Sequence, residues 1–186
     1  MSKYNNRPYH VVMFVSRNKD NKHIVEFHQR TEAFLTQKNS EELKELFHQF
    51  VNNGCRGEMS RMYVSVNSRK HEIILKALQH YLLDHVDINL ACIDSLIASL
   101  AMKPGTAITK RFLFDFDNHS FSDAKLFLND IKLAGYLEPT ILKETPNGYA
   151  VVTEHGFDTR VLLEKWECAE LKRDGMLFEI SETKEE

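Results

Sequence analysis

No stretch of this 186-residue chain is long and apolar enough to cross a bilayer, which takes a run of about 18 apolar residues. The polar start, Met1-Ser2-Lys3-Tyr4-Asn5-Asn6, lacks the apolar core of a secretory signal, so a cytoplasmic protein with no membrane partner is expected. Cysteine is scarce: Cys55, Cys92 and Cys168 are odd in number, far apart and never in a C-x-x-C pair. That spacing argues against a disulfide framework or a cysteine zinc site and leaves reduced thiols. Charge of one sign is also missing, because a formal net charge of −3 excludes a protein that coats nucleic acid by bulk charge and leaves room only for a local basic groove. The nine histidines make no metal cassette, since neither His23 and His28 nor His71 and His80 have zinc-ligand spacing. No low-complexity linker or internal repeat divides the chain.

What the chain does have is Arg111-Phe112-Leu113-Phe114-Asp115-Phe116-Asp117. Strict alternation over this length predicts a strand with one buried face, bearing Phe112, Phe114 and Phe116. Arg111, Leu113, Asp115 and Asp117 would line the other face, the two carboxylates roughly 6 to 7 Å apart. Two anions that close repel unless a cation sits between them, and a divalent metal is the economical candidate. The plain alternative is a solvated sheet edge.

The segments that follow read in the order strand, helix, strand, strand, helix, strand. Ser120 and Asp123 make an S-x-x-D capping box, with Gly135 as C-cap of the helix they open. Thr140 to Thr145 and Tyr149 to Glu154 are strand-like runs joined by the turn residues Pro146-Asn147-Gly148. Asp158 reads as an N-cap, with Phe157 and Leu162 as a hydrophobic staple, and Met176 to Ile180 as the closing strand. This βαββαβ order predicts an α+β protein with an RRM-like or ferredoxin-like sheet, helices on one face and the other face free for ligands. Such a sheet hosts many functions and decides none by itself.

Residues 1–105 read as an N-terminal α/β region packed on the 106–186 region, the two forming one compact unit. Val11 to Arg17 and Lys22 to Gln29 predict a hairpin around Asn18-Lys19-Asp20-Asn21. Thr31 to Lys38 and Ser40 to Asn52 predict helices, the second capped by Ser40 and burying Leu43, Leu46, Phe47 and Phe50. Met62 to Val66 predicts a strand leading to a helix that carries Ile73, Ile74, Ala77, Leu78, Tyr81 and Leu82, and Asp87 would cap one more helix ending at Lys103-Pro104-Gly105. Arg61, Arg69 and Lys70 concentrate positive charge at the ends of that strand, where phosphate could bind at a helix N-terminus; solvated strand ends are the plain alternative.

Phe112 to Asp117, followed by Thr145-Pro146-Asn147-Gly148-Tyr149 on a hairpin, resembles the catalytic core of the archaeo-eukaryotic primase superfamily, which includes small primase-polymerase-like proteins of phages and plasmids. The resemblance covers residues 106–180. It implies Mg2+ or Mn2+ held by Asp115 and Asp117, with Asp158 or Glu179 as a third acid, and nucleoside triphosphate and DNA or RNA as partners in replication. It also implies nucleotide phosphate on the hairpin segment that contains Asn147 and Tyr149. Ala150 stands where the family's second motif has a histidine, a departure that a degenerate relative would explain. In two-metal nucleotidyl transfer the ions activate the attacking hydroxyl and stabilise the leaving oxygen, and basic groups such as Arg111, Lys143 and Arg160 would neutralise the triphosphate. Local pairing of Arg160 and capping by Asp158 are the plain alternatives, as is solvent exposure for the loop histidines His119 and His155.

Three functions compete: metal-dependent nucleotidyl transfer of primase-polymerase type or a degenerate relative that binds nucleotide or nucleic acid; a non-catalytic RRM-like nucleic-acid or protein interaction module; and a DxD phosphatase. RRM sheets stack bases on strand aromatics, and here those lie opposite the acids, which counts against simple RNA binding. The phosphatase wants a small hydroxylated residue that Asn118-His119 does not supply.

Overall fold

The computed structural model describes residues 7–135 and 139–185. Within them the protein is α+β, with two four-stranded antiparallel sheets, five helices and no closed barrel. The described chain divides into two compact units, one running as far as Val64 and adding Ser68–Ala107 and the residues from Phe178 on, the other made of Ser65–Asn67 and Ile108–Leu177.

The first unit begins with β1 (His10–Ser16) and β2 (Arg30–Thr36), paired antiparallel from His10 opposite Thr36 to Ser16 opposite Arg30. This corrects two expectations at once, because Lys22 to Gln29 is not the hairpin partner and Thr31 to Lys38 is not a helix. Asn21 is fully buried, its amide donating to Ser16 Oγ, Arg17 O and Met59 O and its oxygen accepting from the Met59 N–H. Such side-chain to backbone bonds hold the connection in turns instead of a ladder. In β2, Phe34 gains a packing site edge-on to Phe14 at 5.3 Å, a tertiary contact that decides between strand and helix for a short apolar run.

The cap of helix α1 (Ser40–Asn52) lies one residue before the expected one: Asn39 is the N-cap, and it shares a complete capping box with Glu42. Leu43, Phe47, Phe50 and Val51 go into a core with Val12, Phe14 and Met62, and Leu46 packs against its edge. Then come β3 (Met59–Ser65), α2 (His71–Asp84) and α3 (Ile93–Ala101), the last preceded by a short 3-10 turn whose cap is Asn89 and not Asp87.

The second unit runs β4 (Phe112–Phe116), α4 (Phe121–Gly135), β5 (Pro139–Thr145), β6 (Gly148–Thr153), α5 (Arg160–Lys165) and β7 (Ala169–Lys172). Its strands lie in the order β5-β6-β4-β7, which sets the acid-bearing strand in the interior of the sheet. Phe114 and Phe116 are fully buried with Ala124, Phe127, Ile131, Val151 and Leu162, so one sheet face is covered by the two helices as the alternation requires. Half of the expected capping box forms: Ser120 Oγ accepts from the Asp123 N–H at 3.2 Å, but the Ser120 N–H donates to Asn118 Oδ1 at 2.8 Å and the Asp123 carboxylate accepts from the Asn118 amide instead.

Two expectations for this unit change. Its fourth strand is Ala169–Lys172, whereas β8 (Met176–Thr183) belongs to the first sheet, ordered β2-β1-β3-β8. The Asp117 N–H donates to Cys168 O at 2.9 Å, so pairing with β4 begins immediately after the turn at Trp166. Nor is the second sheet face free along its whole length: Leu113, Ala150 and Val152 are buried there with Val66 and Leu177. Asn67 fastens that cover, its Oδ1 accepting from the Arg111 N–H at 2.7 Å and from Thr109 Oγ at 2.9 Å.

Candidate functional site

Directly opposed residues in an antiparallel ladder share a face. Asp115 lies opposite Ala150 on one side and Glu170 on the other, and Ala150 is opposite Lys143. One row across the sheet therefore reads Lys143, Ala150, Asp115, Glu170, on the face away from Phe114 and Phe116. The next row carries Lys172 opposite Leu113.

Lys172 closes this arrangement. Its Nζ donates to Asp115 Oδ2 at 2.6 Å and lies 3.4 Å from Glu170 Oε2. Burial by itself would push the Lys172 ammonium down, but the hydrogen bond and charge of Asp115, with Glu170 behind, outweigh it and raise its pKa. Glu170 and Lys172 are absent from the candidates that the sequence offers. Ala-Glu-Leu-Lys has the composition of a helix turn, and the only signal available is the two-residue spacing of Glu170 and Lys172.

Asp117 sits one residue beyond β4, with its side chain exposed. Beside it the β5–β6 turn makes its closest approach. Gly148 has φ +152°, and a Cβ there would lie 2.2 Å from Phe116 O and 2.7 Å from the Asn118 nitrogen. The glycine of the hairpin thus seats the turn on the end of the acid strand, and the two stretches that carry the resemblance meet here. Asn147 is exposed at the turn, while Tyr149 falls on the helix-covered face, its ring 6.0 Å from that of Phe121. Phe121 is 51% exposed, with Lys125 Nζ 4.4 Å from its centroid.

The other candidates lie apart from this row. Arg111 is half-buried just before β4, its guanidinium 4.0 Å from Glu154. Arg61 and Arg69 belong to the first unit and are buried there: Arg61 donates to Asp20 at 2.8 Å, and Arg69 reaches the Met102 sulfur at 2.9 Å. Glu179 is on β8. His119 and His155 are both exposed.

Asp158 is exposed and chelated by its neighbour, with Arg160 Nη2 at 2.6 Å and Arg160 Nε at 3.0 Å. The Arg160 hydrogen bonds, side chain first and then backbone, bring its carboxyl down to about 2. The N-cap position of α5 is Thr159, whose side chain makes no capping bond; one residue earlier the Asp158 carboxylate accepts the Arg160 N–H at 3.2 Å, so the capping bond comes from the residue the sequence offers. Because exposed pairs contribute little, Asp158→Asn is expected to leave the thermal midpoint unchanged; a clear fall in Tm would show that the pair does more than hold its own loop.

A divalent ion does not fit this donor set as it stands. Asp115 already has an ammonium on one oxygen, Ala150 beside it offers no ligand, and no three His, Cys, Asp or Glu side chains among the described residues could hold a metal ion. What the exposed carboxylates of Asp117 and Glu170 can do is accept hydrogen bonds. No protein-family model, curated protein or solved structure matches the chain.

Proposed function

We propose that the second unit is a ferredoxin-like, RRM-like module related to the primase-polymerases that binds nucleotide or nucleic acid and does not carry out two-metal transfer. The order β5-β6-β4-β7, with a βαββαβ element order and the acid strand inside the sheet, supports the relationship. The observation that carries the binding reading over the catalytic one is Ala150. It is 3% exposed and faces Asp115 across the ladder, at the position of the histidine that the family uses for nucleotide phosphate. A methyl packed among Leu113, Val152, Val66 and Leu177 supplies neither a donor nor space for one.

Carboxylates on an open face repel phosphate, so contact falls to the turn side of the sheet. There Phe121, half exposed and flanked by Lys125 and Tyr149, has the parts of a base-stacking step: an aromatic face, a cation and a neighbouring ring. Stacking of this kind contributes about 1–3 kcal/mol per base.

The test is binding of fluorescent single-stranded oligonucleotides and of nucleoside triphosphate in EDTA, with a parallel incorporation assay in Mn2+. Binding without metal, weakened about 5- to 150-fold by Phe121→Ala, and no incorporation are the expected results. Mn2+-dependent incorporation lost in Asp115→Ala would overturn the reading in favour of a working polymerase. Failure of both ligands to bind at millimolar concentration would overturn it in favour of a protein-interaction module.

A further inference from the structure

We infer that Lys172 is the resident cation of the acid face, its ammonium doing for Asp115 and Glu170 what a divalent ion does for a carboxylate pair, and that it thereby closes this face to Mg2+ and Mn2+. Asp115 and Glu170 are directly opposed on β4 and β7, and like charges in that position destabilise a ladder. Lys172 is the diagonal neighbour of Asp115, two residues along the same strand as Glu170, and its ammonium reaches both carboxylates, at 2.6 Å and 3.4 Å. The repulsion between Asp115 and Glu170 is thus relieved from within the sheet.

A cation tethered on the ladder also outcompetes a free one. Its effective concentration is set by the side chain that carries it, roughly millimolar or higher, and no partner has to be captured from solution. Divalent Mg2+ wants near-octahedral oxygen ligation from carboxylates and waters. Here Asp115 Oδ2 is taken, and Ala150 closes the other side of the row. The inference rests on the relationship proposed above only for the choice of ion to test.

Titration of Mn2+ followed by electron paramagnetic resonance decides it, using the full chain, Lys172→Met, Lys172→Arg and the double variant Lys172→Met with Asp115→Asn. Wild type and Lys172→Arg are expected to leave Mn2+ free into the millimolar range and to melt identically in EDTA and in Mn2+. Lys172→Met is expected to melt lower in EDTA, to recover with Mn2+, and to bind the ion at least tenfold more tightly than wild type, a gain erased by Asp115→Asn. Should Lys172→Met fail to fold, Lys172→Gln is read the same way. A wild type that binds one Mn2+ tightly through Asp115, or a methionine variant that binds no tighter than wild type, overturns the inference. Oligonucleotide binding in EDTA is scored separately, so its failure beside the expected Mn2+ pattern sinks the functional reading alone.

Discussion

Gly148→Ala is expected to cost the second unit on the order of 3 kcal/mol, more than any other single methyl placed in the β5–β6 turn. The first reason is conformational: φ +152° is a region that L residues rarely enter. The second is steric, and it is the larger. A Cβ would meet Phe116 O at 2.2 Å, Asn118 N at 2.7 Å and Asn118 O at 2.8 Å, all of them backbone atoms that no rotamer change can move. The turn would have to lift off the end of β4, and the register Thr145 opposite Gly148 and Glu144 opposite Tyr149 would loosen with it. Trp166, the single tryptophan, reports the outcome. It packs against Phe116 at 5.6 Å and donates from its indole N–H to Asp130 at 2.7 Å, so its fluorescence follows this core in urea. Asn147→Ala, at an exposed position in the same turn, serves as the control and should stay within about 0.5 kcal/mol of wild type. An alanine at position 148 that behaves like the control would mean that the turn is not seated against the acid strand.

The same strand end shows how far the sequence reaches. Alternation in Phe112 to Asp117 fixes both faces of β4, because a period of two is a property of the pleat and needs no knowledge of partners. The order of the following elements is legible for the same reason: caps and turn residues act locally, as Ser120 and Gly148 do. What cannot be read locally is which strand lies beside which. Ala169–Lys172 has too few β-branched or aromatic residues to announce itself, and it becomes a strand because β4 offers it a ladder. The cation for Asp115 is therefore invisible in the sequence, where Lys172 stands 57 residues away. Arg61 and Arg69 fail in the opposite sense. As letters they read as a basic patch, but packing turns both guanidiniums inward. In the first unit, Asn21 misleads as a hairpin turn residue because its amide bonds to the distant backbone of Met59.

Buried charge in the first unit gives the other large expected effect. Glu58→Gln should destabilise the protein by about 3 kcal/mol, toward the lower end for breaking a buried ion pair because Arg30 remains partly exposed. Glu58 is 1% exposed, and its carboxylate is held at both oxygens. Arg30 donates to Oε1 from Nε at 2.9 Å and from Nη2 at 2.6 Å, and the Cys55 N–H donates to Oε2 at 2.7 Å. A glutamine has one acceptor oxygen, so its amide must present N–H groups either to the guanidinium or to the Cys55 N–H, donor against donor. The Arg30 guanidinium, stacked 4.3 Å from the Phe50 centroid and donating to Phe50 O, would be left in place without its anion. Burial pushes the Glu58 carboxyl up, but hydrogen bonds from Ser16, Cys55 and Arg30 and the Arg30 charge outweigh it, and the folded value lies below the ordinary 4.5. The stabilisation by ionised Glu58 is therefore complete above pH 4.5 and drains away as pH falls through the folded value. Denaturation followed by far-ultraviolet circular dichroism should show the full gap between wild type and Glu58→Gln at pH 7 and a narrowing gap in acid. A gap of the same size at both ends would mean that the carboxylate charge contributes nothing, and that glutamine loses only shape.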